Sequence, residues 1–213
     1  MTNRFDDLAA TWDDNPARVE RARQVADAIA AHIPVQRDWS VVDLGSGTGL
    51  LSRMLADRVG PVVLVDTSEG MTAAANARIA AAGLNRMTAV CVDITTDTPP
   101  GAPFDLAVSL LMLHHVPDVH GFLDEVFALL QPGGYLAIVD LESEDGSFHD
   151  DPTEDVQHHG FDPTRLAATA RAVGFVEVEV DEIVRLTKMR DGAPRTYGLI
   201  LLKGRVPVTV TAP

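Results

Sequence analysis

The chain has 213 residues, 17 basic against 31 acidic side chains, a formal net charge of −14 and one cysteine, Cys91. At that length a single core buries about 70–75% of the surface of the unfolded chain, so stability needs no disulfide or structural metal, and a lone cysteine excludes a cysteine zinc cluster. The excess of acid with no Lys/Arg run disfavours a phosphate backbone, and no stretch has the length or flanks of a membrane span or signal peptide; the expectation is a cytoplasmic protein that binds neither nucleic acid nor membrane.

Short apolar runs alternate with helical patterns over the first two thirds of the chain, the mark of β-α-β units around a parallel sheet. Asn15-Pro16 reads as an N-cap and first-turn proline for a helix running to about Ile33. Strands are expected at 40–44, 61–65, 87–92, 104–110 and 134–139. They are mostly apolar rather than alternating, as suits a sheet covered on both faces. Helices are expected near 49–59, 68–82 and 118–130, the last stopped by Pro132-Gly-Gly134. Residues 141–161, rich in acids and containing His149, His158 and His159, read as a long loop of lid or binding type or a merely mobile excursion. Asp162-Pro163 caps a helix to about Val173, and strands at 175–186 and 196–203 pair antiparallel around Asp191-Gly192. The expected organisation is one domain over 1–206, with a helical cap at 1–39, the lid-like loop at 141–161 and a frayed tail at 207–213.

Asp43-Leu-Gly-Ser-Gly-Thr-Gly49 follows the first strand and opens a helix. Glycines at 45, 47 and 49 let a backbone turn approach a ligand closely, although a tight strand-to-helix turn explains them as well. Leu50 stands where the dinucleotide fingerprint wants its third glycine, and no P-loop lysine follows. Asp66 ends the second strand about 20 residues on, where an acid accepts bonds from ribose hydroxyls; a helix cap is the competing role. Asp93 ends the third strand in the same way. An acid at 43 would oppose a pyrophosphate but attract an ammonium or sulfonium group.

In this order the motifs resemble the class I S-adenosylmethionine-dependent methyltransferases. Val41 to Gly49 resembles the family's first motif, Val65-Asp-Thr-Ser-Glu-Gly-Met71 its acidic strand end, Cys91-Val-Asp93-Ile94 its adenine-contacting motif, Phe104 to Val116 its fourth-strand motif, and Leu129-Leu-Gln-Pro-Gly-Gly134 the lead-in to its fifth strand. The resemblance implies a Rossmann-like three-layer α/β sandwich. Its seven-stranded, mostly parallel sheet has the order 3-2-1-4-5-7-6 with an antiparallel last strand. It implies S-adenosyl-L-methionine as cofactor and S-adenosyl-L-homocysteine as product. Gly45, Gly47 and Gly49 would lie under the methionine portion, with Asp43 toward its amino group. Asp66 and Thr67 would meet the ribose, Met71 would pack on adenine, and Asp93 with Ile94 would read the adenine edge. Ser109 and Leu110 would line the sulfonium side, and Phe5 or Trp12 would cover the cofactor.

Methyl transfer from a sulfonium is an in-line displacement, so the protein mainly orients an acceptor and excludes water. Where the acceptor must lose a proton, His114 and His115, just past the fourth strand, are the candidate bases, a helix-start cap being their competing role. His149, His158, His159 and Tyr197 are candidates for the acceptor pocket. The lid histidines His149, His158 and His159 with Glu142, Glu144, Asp145, Asp150 and Asp151 could hold a divalent metal, but their spacing matches no ligand pattern, so no metal is expected. The acceptor expected by default is a small molecule. A silent S-adenosylmethionine-binding or scaffold protein is the alternative. An NAD(P)-dependent oxidoreductase fares worse, because neither Tyr135 nor Tyr197 has a lysine four residues on.

Overall fold

The computed structural model describes residues 4–149 and 156–208. After a short helix α1 (Arg4–Leu8) and a 3-10 turn at Trp12–Asp14 comes α2 (Pro16–His32), capped by the Asn15 side chain. Strands β1 (Val41–Leu44), β2 (Val62–Asp66) and β3 (Met87–Cys91) alternate with α3 (Leu50–Leu55) and α4 (Glu69–Ala81). β4 (Phe104–Leu110) and β5 (Leu130–Leu141) flank α5 (Val119–Leu129); α6 (Pro163–Val173) then leads to β6 (Val176–Arg190) and β7 (Ala193–Arg205). The sheet order is β3-β2-β1-β4-β5-β7-β6, parallel except where β7 runs antiparallel to both β5 and β6. This is the Rossmann-like α/β sandwich the motifs imply.

Side-chain alternation on buried strands builds the three layers. Val41, Leu106, Val108 and Leu201 face one side and meet Val25 and Ile29 of α2, Leu51 and Leu55 of α3 and Ile79 of α4. Val42, Leu44, Ala107 and Leu202 face the other and meet Phe122 and Val126 of α5 and Leu166 and Ala170 of α6. Asp191 and Gly192 both have positive φ, 50° and 79°, the backbone twist that a two-residue hairpin turn needs.

Three boundaries differ from the sequence reading. β5 starts at Leu130, because the sheet takes up Gln131-Pro132-Gly133 in a register shift between Phe104 and Leu106 of β4. β6 and β7 extend to Arg190 and from Ala193 as a long ribbon. The described ends of the segment after β5 meet each other and the body: Glu142 bridges to Phe161, Ser143 N donates to Phe161 O, and the amides of Gln157 and His158 donate to the His114 carbonyl. Asp150 and Asp151, and residues 209–213 of the expected tail, lie outside the described residues.

Candidate active site

At the carboxyl ends of the parallel strands, where β1 and β4 diverge to opposite helices, the structure opens a cavity of about 620 Å³. The glycine loop forms its floor. Gly45, Gly47 and Gly49 all have positive φ, 64°, 53° and 78°. At Gly45 a Cβ would sit 2.2 Å from Met112 Cγ, so close approach as well as conformation requires glycine there. Asp66 fastens the loop: its Oδ2 accepts from Gly47 N at 2.8 Å and its Oδ1 from Ser68 N at 2.9 Å. The carboxylate of Asp66 thus binds local backbone and also lines the cavity, while the cap of α4 is Ser68, whose side chain accepts from Met71 N.

Asp43 is almost fully buried and takes a 2.6 Å hydrogen bond from Ser52 Oγ. Burial pushes its carboxyl up to about 7, and the neighbouring Asp66 pushes the same way against the Ser52 bond. Burial also raises Asp66 above the usual carboxylate range. Asp93 lines the cavity while its Oδ1 accepts from Thr95 N at 2.9 Å, an Asx turn.

The cavity also has Thr67, Met71, Ile94 and Leu110 in its walls, with Phe5 and Trp12 of the N-terminal segment over it. Two aspartates strap that segment down. Asp6 Oδ1 accepts from Ser68 Oγ at 2.5 Å and from Gly70 N at 2.9 Å, while Asp13 holds Thr48, Arg53 and Arg78.

At the far end stand His114 and His115, on a 3-10 turn after β4, and His149. His114 is 2% exposed, and its Nδ1 lies 2.7 Å from Oδ1 of the equally buried Asp140 at the end of β5. Asp140 also accepts from the backbone N–H groups of His114 and Leu141. With Nδ1–H donated to that carboxylate, His114 turns its Nε2 lone pair toward His149 Nε2, 3.2 Å away. Burial, and then His114, lowers His149 to about 4.

Five expected site residues lie outside the lining. Gly49 caps α3 in the left-handed region with Leu64 pressed against it, a packing role. Ser109 is fully buried and donates to Leu44 O at 2.8 Å, locking β4 to β1. Tyr197 packs behind Phe148, and its hydroxyl lies 2.7 Å from Ser147 Oγ. His158 Nε2 bonds the Val116 carbonyl at 2.9 Å, and His159 is exposed beside Glu144.

Sequence reasoning missed Asp140, which the strand-end rule that flagged Asp66 and Asp93 also singles out. It missed Arg21 as well. This guanidinium lines the cavity, its Nε is buried without a hydrogen-bond partner, and burial followed by the charge of Arg18 lowers it to about 10. Arg18 lies over the Trp12 ring at 3.8 Å.

Comparison with known proteins agrees with this geometry. A family model described as a methyltransferase domain matches residues 41–134, β1 to the start of β5. An uncharacterised methyltransferase of Mycobacterium tuberculosis is 39% identical over 99 residues, 46% of this chain and 49% of the relative. Trans-aconitate 2-methyltransferase of Variovorax paradoxus is 37% identical over 132 residues, 59% of this chain and 49% of the relative. The chain spans about half the length of these curated relatives. A chain from the complex between the Haloferax volcanii Trm112 methyltransferase activator and a methyltransferase superposes with a TM-score of 0.78 at 22% identity, covering 97% of this chain and 99% of that one. The sheet order, the strand-end cavity and these matches define a class I methyltransferase fold. Residues 41–134 match the methyltransferase-domain family, and the likeness of the whole chain to solved methyltransferases is one of fold. No helix among the described residues is long and apolar enough to cross a membrane.

Proposed function

We propose that the protein transfers a methyl group from S-adenosylmethionine to a small organic acceptor by in-line displacement. The observation that carries the reading is the polarity of one cavity. All six line the cavity, and the sheet order sets them on two sides: Asp43, Asp66 and Asp93 at the ends of β1, β2 and β3, against His114 and His115 after β4 and His149 after β5. A cofactor with its sugar on Asp66 and its ammonium near Asp43 points its methyl away from the acids, toward the histidines. Arg21 supplies what the acids cannot, a partner for a carboxylate, whether that of the cofactor's methionine portion or one on the acceptor. Relatives that include trans-aconitate 2-methyltransferases make a carboxylate-bearing acceptor the first to try. The protein's own tasks are to align methyl and acceptor, to exclude water beneath Phe5 and Trp12, and to receive an acceptor proton at the His114–His115 end. In this reading Gly49, Ser109 and Tyr197 support the site from behind.

Titration with S-adenosylmethionine tests the first half of the proposal. Asp66→Ala weakens binding by about 1–3 kcal/mol, roughly 5- to 150-fold, because the sugar contact and the loop fastening are lost together. Unchanged affinity in that variant overturns the placement of the sugar. Transfer of labelled methyl to a panel of small organic acids tests the second half. Tight cofactor binding without transfer to any acceptor favours the silent binding protein instead.

A further inference from the structure

We infer that His114, His115 and His149 form a seat for one divalent transition-metal ion, zinc by ligand type, at the acceptor end of the cavity. One ligating nitrogen from each ring lies within 4.8 Å of the other two, and all three residues line the cavity. Zinc–imidazole bonds of about 2.0–2.1 Å at tetrahedral angles place two ligating nitrogens about 3.3 Å apart. His114 Nε2 and His149 Nε2 stand at 3.2 Å. His115 neighbours His114 on the same turn, with the ring centroids 4.1 Å apart.

The surroundings of His114 favour a ligand as much as a base. Metal-bound imidazoles commonly give their second N–H to a carboxylate, which fixes the tautomer and the ring plane. Asp140 does this at 2.7 Å from His114 Nδ1, and two backbone N–H groups in turn hold Asp140. Three protein nitrogens leave a fourth position facing the cavity, the pattern of zinc sites that bind a reactant rather than brace a fold. The nearest cation, Lys188, donates to the Phe148 carbonyl at 2.7 Å and lies over the Phe148 ring. The sequence hid the site because the contributing histidines are 35 positions apart and His149 falls in a segment with no ligand spacing.

The site stands independently of the methyl-transfer reading, and so does its test. The two meet at one point: a lone pair given to a metal cannot accept a proton, so in loaded protein the ion, not His114 or His115, would polarise an acceptor oxygen. Full-length protein freed of metal by chelation is titrated with zinc by calorimetry and with cobalt(II) by visible absorption. One ion per chain with micromolar or tighter affinity is expected, with cobalt ligand-field bands. His149→Ala lowers zinc affinity at least about 100-fold, and Asp140→Asn lowers it about 10- to 100-fold at unchanged stoichiometry. His159→Ala, exposed and off the cluster, leaves it unchanged. S-adenosylmethionine binding and the melting curve of His149→Ala report whether that variant is folded; should it not be, His115→Ala carries the same expectation. Absence of saturable binding, or binding that survives both His149→Ala and His115→Ala unaltered, overturns the site.

Discussion

Arg21 is a costly residue in the cavity wall. Its Nε is buried without a hydrogen-bond partner, burial lowers its affinity for the proton, and Arg18 nearby adds repulsion. Residues like this persist where a ligand completes them, and stability is given up for binding. Arg21→Met keeps the apolar stem and removes the charge. It should raise stability by about 1–2 kcal/mol, seen as a melting temperature higher by a few degrees, while weakening ligand binding. If the anion is the cofactor's carboxylate, the variant loses affinity for S-adenosylmethionine but not for its decarboxylated analogue. If the anion belongs to the acceptor, cofactor affinity stays constant and KM for the acceptor rises. A variant neither more stable nor weaker in either ligand removes Arg21 from recognition. The residue was legible in the sequence as a charge at helical spacing beside the Ala22-Val25-Ile29 stripe of α2, which is buried. Asp43, Asp66 and Asp93 were easier to find, because strand ends can be located from apolar runs alone. Partners such as Asp140 for His114, across 26 positions, need the strands to be set side by side.

Among the elements, the N-terminal segment is held by polar bonds together with a few ring contacts. α1 has five residues, too few for helix propensity to hold it, and Phe5 packs edge-on against Trp12 and His115. Asp6 completes the N-terminus of α4 beside Ser68, and Asp13 joins Thr48 and Arg53 near the glycine loop to Arg78 of α4. These bonds tie the glycine loop, α4 and the N-terminal segment together. Asp13→Ala should leave the melting temperature nearly unchanged. It should also speed release of S-adenosylhomocysteine several-fold and open the segment to limited proteolysis, with added cofactor product restoring protection. Equal protease resistance in both proteins would show that the segment does not depend on Asp13. Asn15-Pro16 and Asp162-Pro163 cap their helices as the sequence indicates, whereas α4 and α5 are capped by Ser68 and Asp118 rather than by Asp66 or the His114-His115 pair. Pro132-Gly-Gly134 was taken as the break before a strand, whereas the strand already runs through it. An irregular edge of β4 absorbs the kink, and no local signal reports that.

For the molecule as a whole, charge and pH act through buried groups as well as the surface: His149, lowered to about 4, favours the fold as pH rises toward 6.5, while Asp43 works the other way. The net charge of −14 makes the fold increasingly self-repelling as pH rises above the sequence pI of about 4.7. Asp43 adds a local effect of the same sign. Its carboxyl titrates near 7 in the folded protein against an ordinary value of 3.8, so between those values the folded state holds a proton that the unfolded chain has released. Stability from this group is therefore complete below about 4 and declines until pH passes about 7. A cationic ligand group reverses the preference, since it favours the ionised form, and binding below pH 7 should expel a proton. Affinity for S-adenosylmethionine should rise by up to about tenfold per pH unit between 5.5 and 7 and level off above it. Calorimetry in buffers of different ionisation enthalpy would register up to one proton released per cofactor at pH 6. Asp43→Asn keeps a side chain that Ser52 can bond but cannot ionise. It should melt higher than the native protein at pH 8, match it at pH 4, and bind cofactor weakly with no slope across neutrality. A native protein whose affinity is flat from pH 5.5 to 8 would mean that Asp43 stays neutral when the site is filled and that the cofactor's positive charge rests elsewhere.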